Sequence, residues 1–409
     1  MLTEDLIREW DSKGYRLFPE NPSKYQEEHL DHLLAHAVRL NGSDIYIKTN
    51  DYIRANIYGK FYKLSSRTLD SDEISSFLNK IYGKTAISIL NTGTPIDTLY
   101  VVNNSSFYGR FRVSIKSGLT RGGRGYIATL RPIPDIPPDL DPEVPMELIN
   151  TYNYKQGLNL VIGATGSGKS TLIASIIKAK LLNSNVYAHM ISYEAPPEFD
   201  FSRLPQNNSF IDQVEVPRDL TSFKIAVENA LRNSPTDVFI GEMRDAPTIT
   251  EGLRVCDMGH LVYSTMHVNS VADVLTRAAS EFSQEAKAGA IVGMIANFNS
   301  IIYQRLLPTI DGKRTPVREY LIFNQAIKNE LFSLIDPNLM TLKMREMLWK
   351  HGYPFVVHLR QRFLEGKISE QTYIQFKQES GTNKSDIELD AIIKEHKKNG
   401  HVMFQNNDL

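Results

Sequence analysis

LNLVIGATGSGKSTLIASIIKAKLL, residues 158–182, decides the fold. It reads as an apolar strand, a glycine-rich turn and an apolar helix. Within it, GATGSGKS at 163–170 fits the phosphate-loop pattern in full: Gly163 and Gly168 flank four residues, and Lys169 and Ser170 follow. Glycines let the backbone curl so that its N–H groups face phosphate oxygens. The helix that follows presents its positive N-terminal end to the same anion. In this pattern Lys169 reaches the β- and γ-phosphates and the Ser170 hydroxyl ligates Mg²⁺. The expected nucleotide-binding set is Gly163, Ala164, Thr165, Gly166, Ser167, Gly168, Lys169, Ser170 and Thr171, with ATP and Mg²⁺ as the expected ligands. A chance glycine-rich turn is the bland alternative, but this one follows a strand and opens a helix.

Downstream, YAHMISYEA, DVFIGEM and GHLVYSTMH are short runs rich in branched or aromatic residues, separated by helical stretches. That alternation predicts parallel βαβ units with helices on both faces of a sheet. Ligands of such sheets gather at the C-terminal strand ends, where Glu194, Glu242 and His267 fall. Hydrolysis needs a metal partner, a group that orients water and charge stabilisation. Glu242 suits a metal- or water-facing role. Each residue alone has an ordinary reading, a helix-capping glutamate or a structural histidine. Their joint placement downstream of a phosphate loop favours catalysis.

Upstream, Leu30, Leu33, Leu34, Ala37 and Leu40 recur at helical spacing, and Ile45, Ile47, Ile53, Ala55 and Ile57 alternate as strands do. A second helix is expected from Ser71 to Tyr82, then strands in YGRFRVSIK and GYIATLRPI. PIPDIPPDLDPEVP, residues 132–145, reads as a semi-rigid linker, because proline removes donors and fixes φ. The expected division is a small α+β domain at 1–131, this linker, an ATPase core at 146–330 and a helical appendix with a polar tail at 331–409. In the appendix, RQRFLEGKISEQTYIQFKQ and DIELDAIIKEHKK read as amphipathic helices.

Charge is balanced, 46 Lys+Arg against 47 Asp+Glu, unlike a strongly basic nucleic-acid binder. The single cysteine, Cys256, excludes an internal disulfide and a multi-cysteine zinc site, and reads as a core residue. MLTEDLIREW has no basic segment leading into an apolar one, so a signal peptide is not expected, and no stretch reaches the ~18 apolar residues of a membrane span. The expected location is the cytoplasm, with any membrane association peripheral.

GATGSGKST at 163–171, YEAPPEF at 193–199, GEMRD at 241–245 and STMH at 264–267 occur in this order, with NALRNSP and YQRLLP around them. In these segments, and in SDIYI at 43–47 and GRFRV at 109–113, the chain resembles the PilT-type secretion ATPases, the superfamily of pilus retraction motors and type II and type IV secretion ATPases. The resemblance implies an α/β protein: a RecA-like P-loop ATPase core, a smaller α+β, PAS-like N-terminal domain and a helical C-terminal appendix. It implies that Glu194 polarises water, that Glu242 is the Walker B glutamate and a metal partner, and that His267 stands near the γ-phosphate. Arg110, Arg112 and Arg131 then resemble small-domain arginines that approach the nucleotide, Arg110 to bind it and the other two to stabilise transferred charge.

Ala195 stands where most pilus motors carry Asp, Thr236 replaces the Asp after Pro235 and Val268 replaces a Thr. The YEAP form, LRPIP at 130–134 and FLEGKISEQTY are similar to the type IVB branch, the Dot/Icm-type and IncI-type conjugation ATPases. The implied protein is a homo-hexameric motor at a bacterial inner membrane. Its partners would be secretion-system components and a protein or nucleoprotein substrate, without sequence-specific contact to nucleic acid. The rival readings are a type IV pilus retraction motor and a RecA- or helicase-like nucleic-acid motor.

Overall fold

The structure, a computed structural model, describes residues 16–334 and 337–398. The expected polar tail lies outside the described residues. The chain divides into two compact units, Met1–Asp135 and Ile136–Leu409.

The first unit carries an antiparallel sheet of β1 (Gly42–Lys48), β2 (Arg54–Ile57), β3 (Lys60–Lys63), β4 (Ile96–Asn104), β5 (Phe107–Thr120) and β6 (Gly123–Ile133), in the order β3-β2-β1-β6-β5-β4. Helices Glu27–Arg39, Ser71–Tyr82 and Ala86–Asn91 accompany it. The Ser71–Tyr82 helix begins where the sequence places it, because Asp70 accepts from the N–H groups of Asp72 and Glu73 while Glu73 accepts from that of Asp70. Its Ile74, Phe77, Leu78 and Ile81 are buried at helical spacing, in one core with Leu30, Leu33, Leu34, Ile45 and Ile47. β4, which pairs along β5, is a strand that alternation did not single out.

The second unit is built on β7 (Gly157–Ile162), β8 (His189–Glu194), β9 (Phe210–Glu215), β10 (Asp237–Ile240), β11 (Leu261–Met266), β12 (Phe298–Pro308) and β13 (Arg314–Ile322). Their order is β13-β12-β7-β11-β10-β8-β9, parallel from β12 to β9, with β13 antiparallel at the edge. β7 is buried along its whole length, and its side chains divide between two apolar layers. Leu158, Leu160 and Ile162 face one layer, with helices such as Ala246–Asp257 and Gln284–Asn297. Val161 faces the other, with Leu172, Ile173, Ile176 and Ile177 of the Lys169–Leu182 helix. Each such buried aliphatic side chain contributes about 1.5–3 kcal/mol, so a strand carrying four of them is fixed in place beneath the phosphate loop.

Two expectations are corrected here. Pro132 and Ile133 belong to β6, opposite Phe111 and Arg110, because a proline at a strand end forfeits only one ladder bond. Residues 136–145, expected as part of a semi-rigid linker between domains, belong to the second unit and are bound to it as a strap. Lys178 bonds the Pro137 carbonyl at 2.9 Å and Asp139 at 2.8 Å, Arg318 pairs with Asp141 at 2.6 Å, and Lys367 with Glu143 at 2.6 Å. Arg362, fully buried, also pairs with Glu143. Burial alone would raise the Glu143 carboxyl, but its bonds from Arg362 and Lys367 bring it down to about 2. Proline denies the strap a regular fold, and its carboxylates supply the anchors instead.

The appendix is likewise part of the unit. Met340, Met344, Met347 and Leu348 of the Pro337–His351 helix enter one apolar layer, and Val356, Val357, Leu389 and Ile393 enter the other. The long stretch read as one helix is two, Phe355–Leu364 and Glu370–Glu379, parted at Gly366, whose φ is 67°. Among the described residues no helix is long and apolar enough to cross a membrane.

Candidate active site

The phosphate loop follows β7 and ends in the Lys169–Leu182 helix, whose N-cap Gly168 has φ 83°. Gly163 has φ 149°, and a Cβ there would lie 2.5 Å from the Gln304 carbonyl oxygen and 2.6 Å from Ser167 Oγ. Only glycine satisfies both demands.

Lys169 is 7% exposed, and its Nζ donates to the carbonyls of Gly163 at 2.8 Å and Ala164 at 3.0 Å. Among the described residues it forms no ion pair. Burial lowers its pKa, and the more distant charges of Glu242 and Glu198 offset part of that. Beside it, Ser167 Oγ is buried and has no hydrogen-bond partner among the described residues. A buried cation without a counter-ion, at a helix N-terminus and next to an orphaned hydroxyl, is an anion site.

His267, the first residue after β11, stands 3.5 Å from Lys169 Nζ through Nδ1 and 3.5 Å from Glu242 Oε1 through Nε2. The ammonium can only donate, so Nδ1 accepts and the Nε2–H faces the carboxylate. Glu242 follows β10 directly after Gly241, which is fastened on both sides. The Gly241 N–H donates to the Tyr193 carbonyl at 2.8 Å, and Thr265 Oγ1 donates to the Gly241 carbonyl at 2.7 Å. A Cβ at Gly241 would come within 3.3 Å of that Tyr193 oxygen, so glycine permits the close approach. The structure thus joins Lys169, His267 and Glu242 from three neighbouring strands, β7, β11 and β10.

Glu194 ends β8, the next strand across, roughly 14 Å from β7 at ~4.8 Å per strand. Its carboxyl is 7% exposed and accepts from Ser192 Oγ at 2.9 Å and Gln213 Nε2 at 3.3 Å. Burial pushes it up to about 7, against the opposing effect of those two donors. Ser192 and Gln213 were not foreseen. Ser192 lies two residues before Glu194 in the same strand, the one local signal available.

The three arginines belong to the first unit. Arg112 and Arg131 are cross-strand partners on β5 and β6. Arg131 Nε donates to Asp44 at 2.8 Å, and Arg110 Nη1 to the Pro134 carbonyl at 3.5 Å.

The hydroxyl of Ser170 and the carboxylate of Glu242 are oxygen donors, as a hard divalent ion requires. Among the described residues no cluster of three His, Cys, Asp or Glu could hold a metal. Two such oxygens suffice for Mg²⁺, which takes one or two protein oxygens and completes its shell from phosphates and water.

The family profile described as type II/IV secretion system protein matches residues 139–335. The chain is 37% identical over 174 residues to the type IV pilus retractation ATPase PilT of Pseudomonas aeruginosa, 42% of this chain and 49% of that protein. It is 30% identical over 275 residues to a twitching motility protein of Neisseria gonorrhoeae, 67% of this chain and 70% of that one. Among solved structures, the ATPase DotB of Legionella pneumophila superposes with a TM-score of 0.84 at 35% identity, covering 90% of this chain and 100% of that one. The pilus retraction motor PilT with bound ADP superposes at 0.71 and 28% identity, covering 85% of this chain and 96% of that one.

Proposed function

Because the chain belongs to the type II/IV secretion-system family of ATPases, we propose that it hydrolyses Mg·ATP to drive a type IVB secretion or conjugation machine, working as a homo-hexameric ring. The buried, unpaired Lys169 in its phosphate loop is the observation that carries the nucleotide reading. The likeness to DotB over its full length supports the type IVB branch.

In this mechanism the loop N–H groups and Lys169 bind the phosphates. Ser170 and Glu242 would hold Mg²⁺, which would supply neutralising charge at the phosphates. Glu194 takes the proton from the attacking water, a role suited to a carboxyl whose pKa of about 7 lies near working pH. His267 keeps Glu242 and Lys169 in register. Arg110 would bind the nucleotide, and Arg112 and Arg131 would stabilise charge on the transferred phosphoryl group. The ring would sit in the cytoplasm against inner-membrane secretion components and act on a protein or nucleoprotein substrate. A second reading, a pilus retraction motor, is favoured by the 37% identity to PilT.

The test is steady-state ATPase activity with and without Mg²⁺, with particle mass measured by light scattering on the same sample. A hexamer-sized, Mg²⁺-dependent ATPase that Lys169→Ala abolishes supports the proposal. Undiminished turnover in Lys169→Ala refutes the loop assignment. Restoring secretion or conjugation, rather than twitching, in a host lacking its own motor separates the two branches.

A further inference from the structure

The geometry points to Asp141, Arg318 and Gln304 as a positioning chain that sets the phosphate loop from the strap; this rests on the nucleotide reading above. Gln304 lies on β12 and Arg318 opposite it on β13, both 4% exposed. Gln304 Nε2 donates to the Ser167 carbonyl at 2.8 Å, and its Oε1 accepts from Arg318 Nε at 2.9 Å. A guanidinium only donates and a carbonyl only accepts, so the amide has one orientation. Arg318 Nη2 then donates to Asp141 Oδ2 at 2.6 Å.

Fixing the Ser167 carbonyl fixes the next N–H. In a trans peptide the two point in opposite directions, so the Gly168 N–H is turned away from Gln304. Gln304 also touches both flanking glycines. A Cβ on Gly168 would meet its Nε2 at 2.8 Å, and one on Gly163 would meet its carbonyl oxygen at 2.5 Å.

The far end of the chain depends on the strap. Arg318 Nη1 has no hydrogen-bond partner among the described residues, and burial lowers the pKa of the guanidinium. Its backbone N–H donates to His358 Nδ1 at 3.0 Å, and that imidazole is held neutral by burial and by the positive charges of Arg362 and Arg318. Asp141 is the carboxylate in contact with Arg318. Moving Asp141 therefore moves Arg318, and through Gln304 the loop. By linkage, an anion that orders the loop also orders the strap.

Gln304→Glu tests this at constant shape. It keeps an oxygen for Arg318 but sets a second oxygen against the Ser167 carbonyl. The measurement is affinity for a fluorescent ADP analogue, with displacement by ADP and by inorganic pyrophosphate, on full-length protein shown to be folded by its melting curve. Gln304→Glu is expected to bind ADP about 10-fold more weakly or worse, with pyrophosphate weakened by the same factor because the defect lies in the loop. Asp141→Asn is expected to weaken both by a smaller factor. ADP should slow amide exchange across residues 136–145 in the wild type and not in Gln304→Glu, a readout that simple loss of packing would not produce. Folded Gln304→Glu with wild-type affinity for both ligands overturns the chain. If Gln304→Glu fails to fold, Asp141→Asn decides by the same criterion. A wild type that binds neither ligand removes the nucleotide reading and the chain together.

Discussion

Glu194 should make the protein less stable as pH rises, and Glu194→Gln should remove that effect. Burial places the native carboxyl at about 7 against 4.5 for an ordinary glutamate. Between those values the native state keeps a proton that the unfolded chain has released. Folding therefore loses free energy as pH rises through the window, at about 1.4 kcal/mol per pH unit. By pH 8 the ionised group costs about 3 kcal/mol, whereas at pH 4 both states are protonated and the cost is close to zero. Glutamine keeps the oxygen that accepts from Ser192 and Gln213 but never ionises. The variant should match the wild type near pH 4 and exceed it by about 3 kcal/mol at pH 8, roughly 5 °C in melting temperature for a unit of this size. Circular-dichroism melts of both proteins at pH 4, 5, 6, 7 and 8 measure the difference. Turnover should meanwhile fall by about 10²-fold or more if Glu194 takes the proton from water. A stability difference that does not vary with pH would refute the burial argument. A normal rate would pass the water-orienting role to Glu242.

Gly163→Ala forces a Cβ into the Gln304 carbonyl and Ser167 Oγ at a φ of 149°, so it should abolish binding of the fluorescent ADP analogue and lower stability by about 1–3 kcal/mol; wild-type binding would contradict the close packing of the loop. Glu143 titrates in the opposite sense to Glu194. Its carboxyl lies near 2 in the folded protein, so its contribution of about 3 kcal/mol holds above pH 4.5 and fades as pH falls from there through 2. Urea unfolding of Glu143→Gln against wild type should show a deficit at pH 7 that narrows by pH 3; a deficit that stays constant would mean that ion pairing to Arg362 and Lys367 is not its source.

What the sequence reveals about this site follows the range over which each contact acts. The phosphate loop is legible because it is local: Gly163, Gly168, Lys169 and Ser170 are each required by the backbone within eight residues, and β7 and its helix frame them. Glu242 and His267 are legible as strand ends because parallel strands gather their C-terminal ends in one place. Their 3.5 Å contacts are not, since these depend on the order β7-β11-β10, which differs from chain order. Gln304 and Arg318 carry no spacing signal, being 14 residues apart on antiparallel strands, and they resemble any polar residues on β12 and β13. Asp141 was hidden for a better reason. Six prolines in residues 132–145 announce a segment without helix or strand, and such a segment reads as a linker. Proline content reports what the backbone cannot form, not where its side chains are held. Lys178, Arg318, Arg362 and Lys367, from 33 or more residues away in sequence, hold it. A proline-rich strap with carboxylates at 139, 141 and 143 is thus stiff enough to act on the loop through Gln304, whereas a flexible linker would not be.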